Sequence, residues 1–383
     1  MMSKTISVNT VKIQNRLAVF RELRNFGETT RTQLARRCNL SLGTVVTILE
    51  ELAGQGVVEE TLDQRATVGR KPHLVRLVDG GKRIIAIDLS SRNSLYEIFP
   101  VHLQGGVGAK HRFRSAQSLE ANVRALFEEV RRHVEDLRIK DEDIIGIGVS
   151  VPGSYRYTSD SIENAPFPEL HQIGLNRLLK EYFDQPVTID HDVFLAAHAE
   201  IRYISAYHDK NIFYMFLGEG VGGALSAHGE LYRGSREDAG DIGRMYITAD
   251  ETLEDLVSWN RVEAALAVEG TTPLEAQSPD GSKGSAATDG PPRDLPAPVQ
   301  EATRVIARAL QNTFWVVDPD CFVVGGEYQR FGTPFVELIT RELQRYLEPS
   351  VMETLEVRLS QHGARGALLG AAQIARRQWL VSL

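Results

Sequence analysis

Ile212-Phe213-Tyr214-Met215-Phe216-Leu217 runs directly into Gly218-Glu219-Gly220-Val221-Gly222-Gly223 and is followed by Ala224-Leu225-Ser226. Six consecutive apolar residues are the length of a buried strand. The glycines let the chain reverse, so 224–226 reads as the returning strand. The same grammar recurs upstream. Ile84-Ile85-Ala86-Ile87-Asp88-Leu89 is a buried strand ending in an Asp, followed by a Ser/Arg/Asn turn and a second strand over 95–101. Leu119, Val123, Leu126, Val130, Val134 and Leu137 mark an amphipathic helix, and Ile144–Val151 is another buried strand closed by Pro152-Gly153. Val187-Thr188-Ile189-Asp190 is a short strand that passes through His191-Asp192 into a helix over 193–200. Strands paired across Gly-rich turns and mixed with helices imply two α/β lobes, with the cleft between them as the default ligand site.

The first seventy-seven residues have a different character. They hold twelve Lys and Arg against seven Asp and Glu, a net of +5, whereas the whole chain is −8. A basic head on an acidic body suggests that the head alone faces phosphate. Val11, Leu17, Val19 and Phe20 outline a first helix over 11–20, leading to a turn at Gly27. Thr29-Thr30 can cap a second helix, Arg31–Arg37, and Ser41 a third, with Val45, Ile48, Leu49 and Leu52 on one buried face. A short helix, a tight turn and a second helix with a polar leading end is the arrangement that fits a major groove. Val57-Val58-Glu59-Glu60 and His73-Leu74-Val75-Arg76-Leu77 read as two strands of a hairpin whose tip carries Gly69-Arg70-Lys71-Pro72. Cations at such a tip suit a narrow minor groove. The candidate DNA contacts are therefore Arg31, Ser41, Gly43, Thr44 and Thr47 on the helices, with Leu42 beside them, and Arg70 and Lys71 on the wing. A three-helix domain that binds protein is the competing reading of the same segment.

The 383 residues leave room for this head and roughly two further domains, divided here as 1–80, 81–200 and 201–383. The C-terminal helix is expected to complete the first lobe. No apolar run approaches the ~20 residues needed to cross a bilayer, and a signal-peptide core is lacking, so a cytoplasmic protein without membrane partners is expected. Cys38 and Cys321 are the only cysteines, which excludes a disulfide framework and a thiolate metal cluster. The stretch 269–298, with Ser278-Pro279-Asp280-Gly281-Ser282 and Gly290-Pro291-Pro292, reads as a mobile loop between helical segments.

In order along the chain, Gly69-Arg70-Lys71-Pro72, Ile87-Asp88, Val151-Pro152-Gly153, His191-Asp192, Gly218 to Gly223, Gly240-Asp241-Ile242-Gly243, Leu253-Glu254 with Ser258, Asp318-Pro319, Gly325-Gly326 and Gly366 to Ala372 resemble the ROK family of sugar kinases and sugar-responsive repressors. The resemblance covers nearly the whole chain. It implies the two-lobed actin-like ATPase fold of that family, with the winged helix-turn-helix head of its repressor branch. It also implies double-stranded operator DNA and a sugar or sugar-derivative effector as partners, and a homodimer or higher homo-oligomer.

The departures from the family pattern weigh against the kinase branch. Where family kinases follow the first-strand Asp with a Gly that admits ATP phosphates, Asp88-Leu89-Ser90-Ser91-Arg92 has none. The second phosphate loop, Gly-Thr-Gly in the family, is Gly218-Glu219-Gly220, and a carboxylate there repels polyphosphate. ATP is not expected as a cofactor. Nor is zinc, since Arg244 stands where the family has a zinc-binding His and no cysteine lies between 39 and 320. The segment 248–256 must then be held by packing. The resemblance places the effector on His191, Asp192, Asp241, Arg244 and Glu254; Asp192 is the family's catalytic base, and Phe167 stands near an expected Asn. Arg244 could clamp a carboxylate on an acidic sugar, or simply pair with Asp241 or Glu254. The expectation is a non-enzymatic, zinc-independent transcriptional regulator, a repressor of carbohydrate genes. The alternatives are a carbohydrate kinase with an accessory DNA-binding head and a regulator that answers to another protein.

Overall fold

The computed structural model describes residues 8–62, 73–90, 93–163, 168–203, 207, 209–270 and 295–383. The chain begins with α1 (Val8–Phe26), β1 (Thr29–Thr30), α2 (Arg31–Arg37), α3 (Leu42–Gly54), β2 (Val58–Leu62) and β3 (His73–Leu77). The three strands form a small sheet in the order β1-β3-β2, making a winged helix-turn-helix. Thr30 Oγ1 accepts from the Gln33 amide while Gln33 Oε1 accepts from the Thr30 amide, a reciprocal cap that starts α2. Ser41 starts α3 in the same way, accepting from the Thr44 amide at 3.1 Å. Val45, Ile48, Leu49 and Leu52 are all buried, as their spacing requires. The first helix is longer than the apolar pattern suggests, because Leu23 is also buried, and Val11 is left 42% exposed. Its inward face includes Arg16 instead, at 1% exposure. The hairpin tip, residues 63–72, lies outside the described residues, and so does most of the expected loop, 271–294.

The body opens with β4 (Arg83–Asp88), β5 (Asn93–Pro100), β6 (Val107–Arg112), α4 (Leu119–Asp136), β7 (Ile144–Val151), β8 (Ser154–Arg156), β9 (Ser161–Glu163), α5 (Leu175–Lys180), β10 (Val187–His191) and α6 (Asp192–Tyr203). It continues with β11 (Ile212–Leu217), β12 (Val221–Ala227), β13 (Glu230–Tyr232), α7 (Leu253–Val257), α8 (Trp259–Val268), α9 (Ala297–Val317), β14 (Cys321–Gly326), α10 (Gly332–Leu343), α11 (Pro349–Met352), β15 (Glu356–Leu359) and α12 (Gly366–Ser382). The first sheet, read from one edge, runs β6-β5-β4-β7-β10, and the second runs β13-β12-β11-β14-β15. The two orders are the same: an antiparallel three-strand meander followed by two parallel strands. The body is thus two copies of one α/β plan, the actin-like arrangement. A short β8-β9 hairpin hangs from the end of β7.

Side-chain alternation explains what covers the first sheet. Ile85 and Ile87 of β4 join a core with Val123, Leu126 and Val130 of α4, whereas Ile84 and Ala86 join α12 and the head. On β7, Ile147 and Val149 face the α4 side. Gly146 and Gly148 face α12, and a Cβ at Gly148 would overlap the Ala371 backbone. The Ile-Gly-Ile-Gly pattern therefore seats a helix close to the sheet. On its other side α12 packs along α6, where Gly370 lies against the Leu195 carbonyl.

Candidate functional site

The ends of three adjacent parallel strands place the first acidic groups. Asp88 closes β4, Ser150 is its register partner on β7, and Asp190 pairs with Ser150 from β10. Side chains beyond the carboxyl ends of parallel strands meet the crevice where such sheets bind ligands. Asp88 is buried, and its Oδ1 accepts from the Ser90 amide at 3.0 Å. Burial raises its pKa above the ordinary carboxylate range, against the opposing bond from Ser90. Asp192, the first residue of α6, accepts from the Val193 amide at 2.7 Å. Burial first, and the neighbouring Asp88 second, push Asp192 up to about 8. His191 Nε2 lies 3.2 Å from Asp192 Oδ1. Burial takes His191 down to about 4, against the pull of Asp190 and Asp238. Both shifts favour the uncharged forms, so this contact is weaker than a fully charged ion pair. His191 Nδ1 is buried without a partner, which leaves one polar atom for a ligand or water.

The opposite wall comes from the segment after β13. Arg244 Nε lies 2.8 Å from Asp241 Oδ2, so the simpler of the two roles open to Arg244 is the one observed. Burial lifts Asp241, and Arg244 opposes the shift. Asp238 acts electrostatically on both His191 and Asp241. Glu254 is exposed, and its Oε2 accepts from the Val221 amide at 2.8 Å, bracing the 218–221 turn. Phe167 lies outside the described residues.

Sequence reasoning missed the residues that join the walls. Arg233 makes a two-pronged contact with Asp190, Nη1 at 3.1 Å and Nη2 at 2.5 Å, and lies 5.1 Å over the Phe194 ring. Arg156 donates to Glu163 Oε2 and to the Arg236 carbonyl, both at 2.8 Å, and approaches Asp238 at 3.5 Å. Ser154 donates to Asp238 Oδ1. Apart from Arg156–Glu163, these contacts link positions about 40 to 85 residues apart in the chain, a span on which local spacing carries no signal.

The glycines of the expected phosphate loops have partners within the protein. A Cβ at Gly218 would strike the Phe216 ring, and one at Gly220 would come 3.4 Å from Glu254. The Ser90 amide is already held by Asp88. The thiolate set that zinc requires does not fit: Cys321 is buried within β14 and Cys38 lies in the head. The segment after Arg244 is instead held by a Tyr246–Thr252 bridge, the Leu253 amide on the Met245 carbonyl, and a reciprocal Thr252–Asp255 cap.

In the head, Gly43 and Thr47 are exposed and Thr44 half-buried on the leading turns of α3. Ser41 is spent on its cap, lying 2.8 Å from Thr44 Oγ1 as well. Arg31, expected at DNA, is paired with Glu60 of β2, Nε donating to Oε1 at 3.0 Å. That bond is the main cause of its raised pKa, and DNA would have to compete for the guanidinium. Arg70 and Lys71 lie outside the described residues.

Comparison with known proteins agrees with this fold. The family model described as "ROK family" matches residues 96–271 and 286–378. The "Xylose repressor" of Caldicellulosiruptor bescii is 21% identical over 378 residues, covering 93% of this chain and 94% of that one. The "DNA-binding transcriptional dual regulator NagC" of Escherichia coli is 25% identical over 246 residues, and that match spans 63% of this chain and 59% of the relative. Among solved structures, a ROK family transcriptional regulator described as a homolog of the E. coli MLC protein superposes with a TM-score of 0.74 at 16% identity, covering 97% of both chains. Among the described residues no helix is long and apolar enough to cross a membrane.

Proposed function

The chain belongs to the ROK family, and from that premise we propose that it is a sugar-responsive transcriptional repressor that binds operator DNA as a homodimer. The observation that carries this reading is the union of a capped recognition helix with a two-lobed body whose Asp192 is half-buried beyond the carboxyl ends of the parallel strands. In this proposal the division falls near residues 80 and 200, with the C-terminal helix serving the first lobe. Gly43, Thr44, Thr47, Arg70 and Lys71 approach DNA, and Arg31 does so if it exchanges Glu60 for phosphate. Ser41 positions the helix. The effector is a polyhydroxy compound held by His191, Asp192 and Asp241, with Arg244 and Glu254 fixing the surrounding loops. Its hydroxyls would find both a donor and acceptors at the His191–Asp192 pair. Binding then changes DNA affinity by the difference in effector affinity between the two states of the body.

Thermal-shift and calorimetric titrations with D-xylose, D-glucose, N-acetylglucosamine and the matching sugar acids test the effector reading. Saturable binding of at least one sugar, weakened tenfold or more by Asp192→Asn, is expected. Binding of none would leave the body without the role assigned to it. A sugar kinase with a DNA-binding head is the rival, since Asp192 is retained. It requires phosphate transfer from ATP that Asp192→Asn abolishes, whereas the engaged Ser90 amide and Gly218–Gly220 turn support the absence of such transfer.

A further inference from the structure

The outward stripe of α3 is unusual for a helix that meets a major groove. Leu42, Val46 and Glu50 follow one another at four-residue spacing, with Gly43 and Thr47 alongside. Leu42 is 51% exposed, Gly43, Thr47 and Glu50 are exposed, and Val46 is half-buried. This stripe carries no guanidinium, ammonium or carboxamide, the groups that make two-pronged bonds to guanine or adenine. Its hydroxyls are engaged within the helix as well. Thr47 Oγ1 donates to the Gly43 carbonyl at 3.2 Å, and Thr44 Oγ1 is engaged with the Ser41 cap. Glu50 can only accept, and a carboxylate repels phosphate. What remains for a base edge is the Leu42 side chain and the Thr47 methyl, and the base feature they match in the major groove is the thymine C5-methyl.

Gly43 supplies a second, independent observation. Its backbone is ordinary right-handed helix, and a Cβ there would meet nothing nearer than Ser41 Oγ at 3.8 Å. The fold does not need a glycine at this position, and glycine is a poorer helix former than alanine. A missing side chain beside an exposed Leu suits close approach of an outside surface. The net +5 charge of the first seventy-seven residues identifies that surface as polyanionic.

We infer that the recognition helix reads its operator through thymine methyl groups, with Leu42 and Thr47 in contact with them and Gly43 permitting the close approach. The inference rests on the DNA-binding role proposed above. The test uses the full chain to enrich binding sites from randomised duplexes, then replaces thymine by uracil at single positions of the enriched sequence. Each thymine that touches the stripe should lose roughly four-fold in affinity on removal of its methyl. Leu42→Ala should weaken the thymine duplex and shrink the uracil penalty. Gly43→Ala should raise the melting temperature while weakening the operator, a combination that a purely structural glycine would not give. Equal binding of thymine and uracil duplexes, or a full penalty retained in Leu42→Ala, overturns the inference while leaving DNA binding intact. Failure to enrich any sequence, or failure to bind duplex at all, overturns both.

Discussion

Asp192 and His191 stand side by side with shifts of opposite consequence. In the unfolded chain Asp192 releases its proton near pH 4, whereas in the fold it holds it up to about 8. The folded state binds the extra proton in that window, so stability from this group falls as pH rises from about 4 to about 8. His191 remains uncharged down to about 4 in the fold but takes a proton near 6.5 when unfolded, so its contribution falls as pH drops through that range. Asp192→Asn is therefore expected to stabilise the protein at pH 8–9, by at least about 1.4 kcal/mol. The gain should shrink steadily toward pH 5. Melting curves across that range measure it, and a gain that is flat with pH or larger in acid contradicts the burial of this carboxyl. Asn retains the acceptor for the Val193 amide, so the comparison isolates charge.

At the scale of elements, legibility followed burial. The caps at Thr30 and Ser41, the buried face of α3 and the apolar strands β4, β7 and β11 were all readable, because each is specified by neighbours within a few residues. The strand β6 was not: Val-Gly-Ala-Lys-His-Arg is largely exposed on a sheet edge and has no apolar run to announce it. The site followed the same rule. His191–Asp192 and Asp241–Arg244 are near in sequence and were found, whereas Arg233 and Arg156 act across lobes and were not. Close helix packing lies between these cases, since Gly366 to Ala372 stands out as a landmark of the family resemblance but its packing partner does not. That partner is α6, whose first residue is Asp192, and Gly370 sits on the Leu195 carbonyl. Gly370→Ala forces α6 and α12 apart and is expected to cost about 1–3 kcal/mol, as overpacking does. Denaturant unfolding reads this directly, and a neutral substitution would mean that the two helices do not pack as closely as described.

For the molecule as a whole, the question is how the body can influence the head. The core of the head is continuous with that of the first lobe through α12, where Leu368, Ala371, Ala375 and Leu380 join Val19, Phe20 and Leu23. Two buried arginines cross the junction. Arg376 lies 5.2 Å from the centre of the Phe20 ring and donates to the Val101 carbonyl. Arg16 of α1 donates to the Leu380 carbonyl at 2.7 Å and to Glu51 of α3 at 2.8 Å, so one side chain touches the first helix's neighbour in the head and the last helix of the body. Lys12 also holds Glu51, at 2.6 Å, so loss of Arg16 would not strand that carboxylate. The cost of Arg16→Met is therefore that of the unmatched Leu380 carbonyl and lost geometry, about 1–3 kcal/mol, rather than that of a stranded buried charge. Because the loss falls on the junction, head and body should separate in stability. Calorimetry of the parent is expected to show one transition and that of Arg16→Met a lower-melting head shoulder. A single transition at the parental temperature would mean that Arg16 does not link them. If the shoulder does appear, the DNA affinity of the Arg16→Met variant should respond to an effector less than that of the parent, because α12, which packs along α6, then ends on a head it no longer holds.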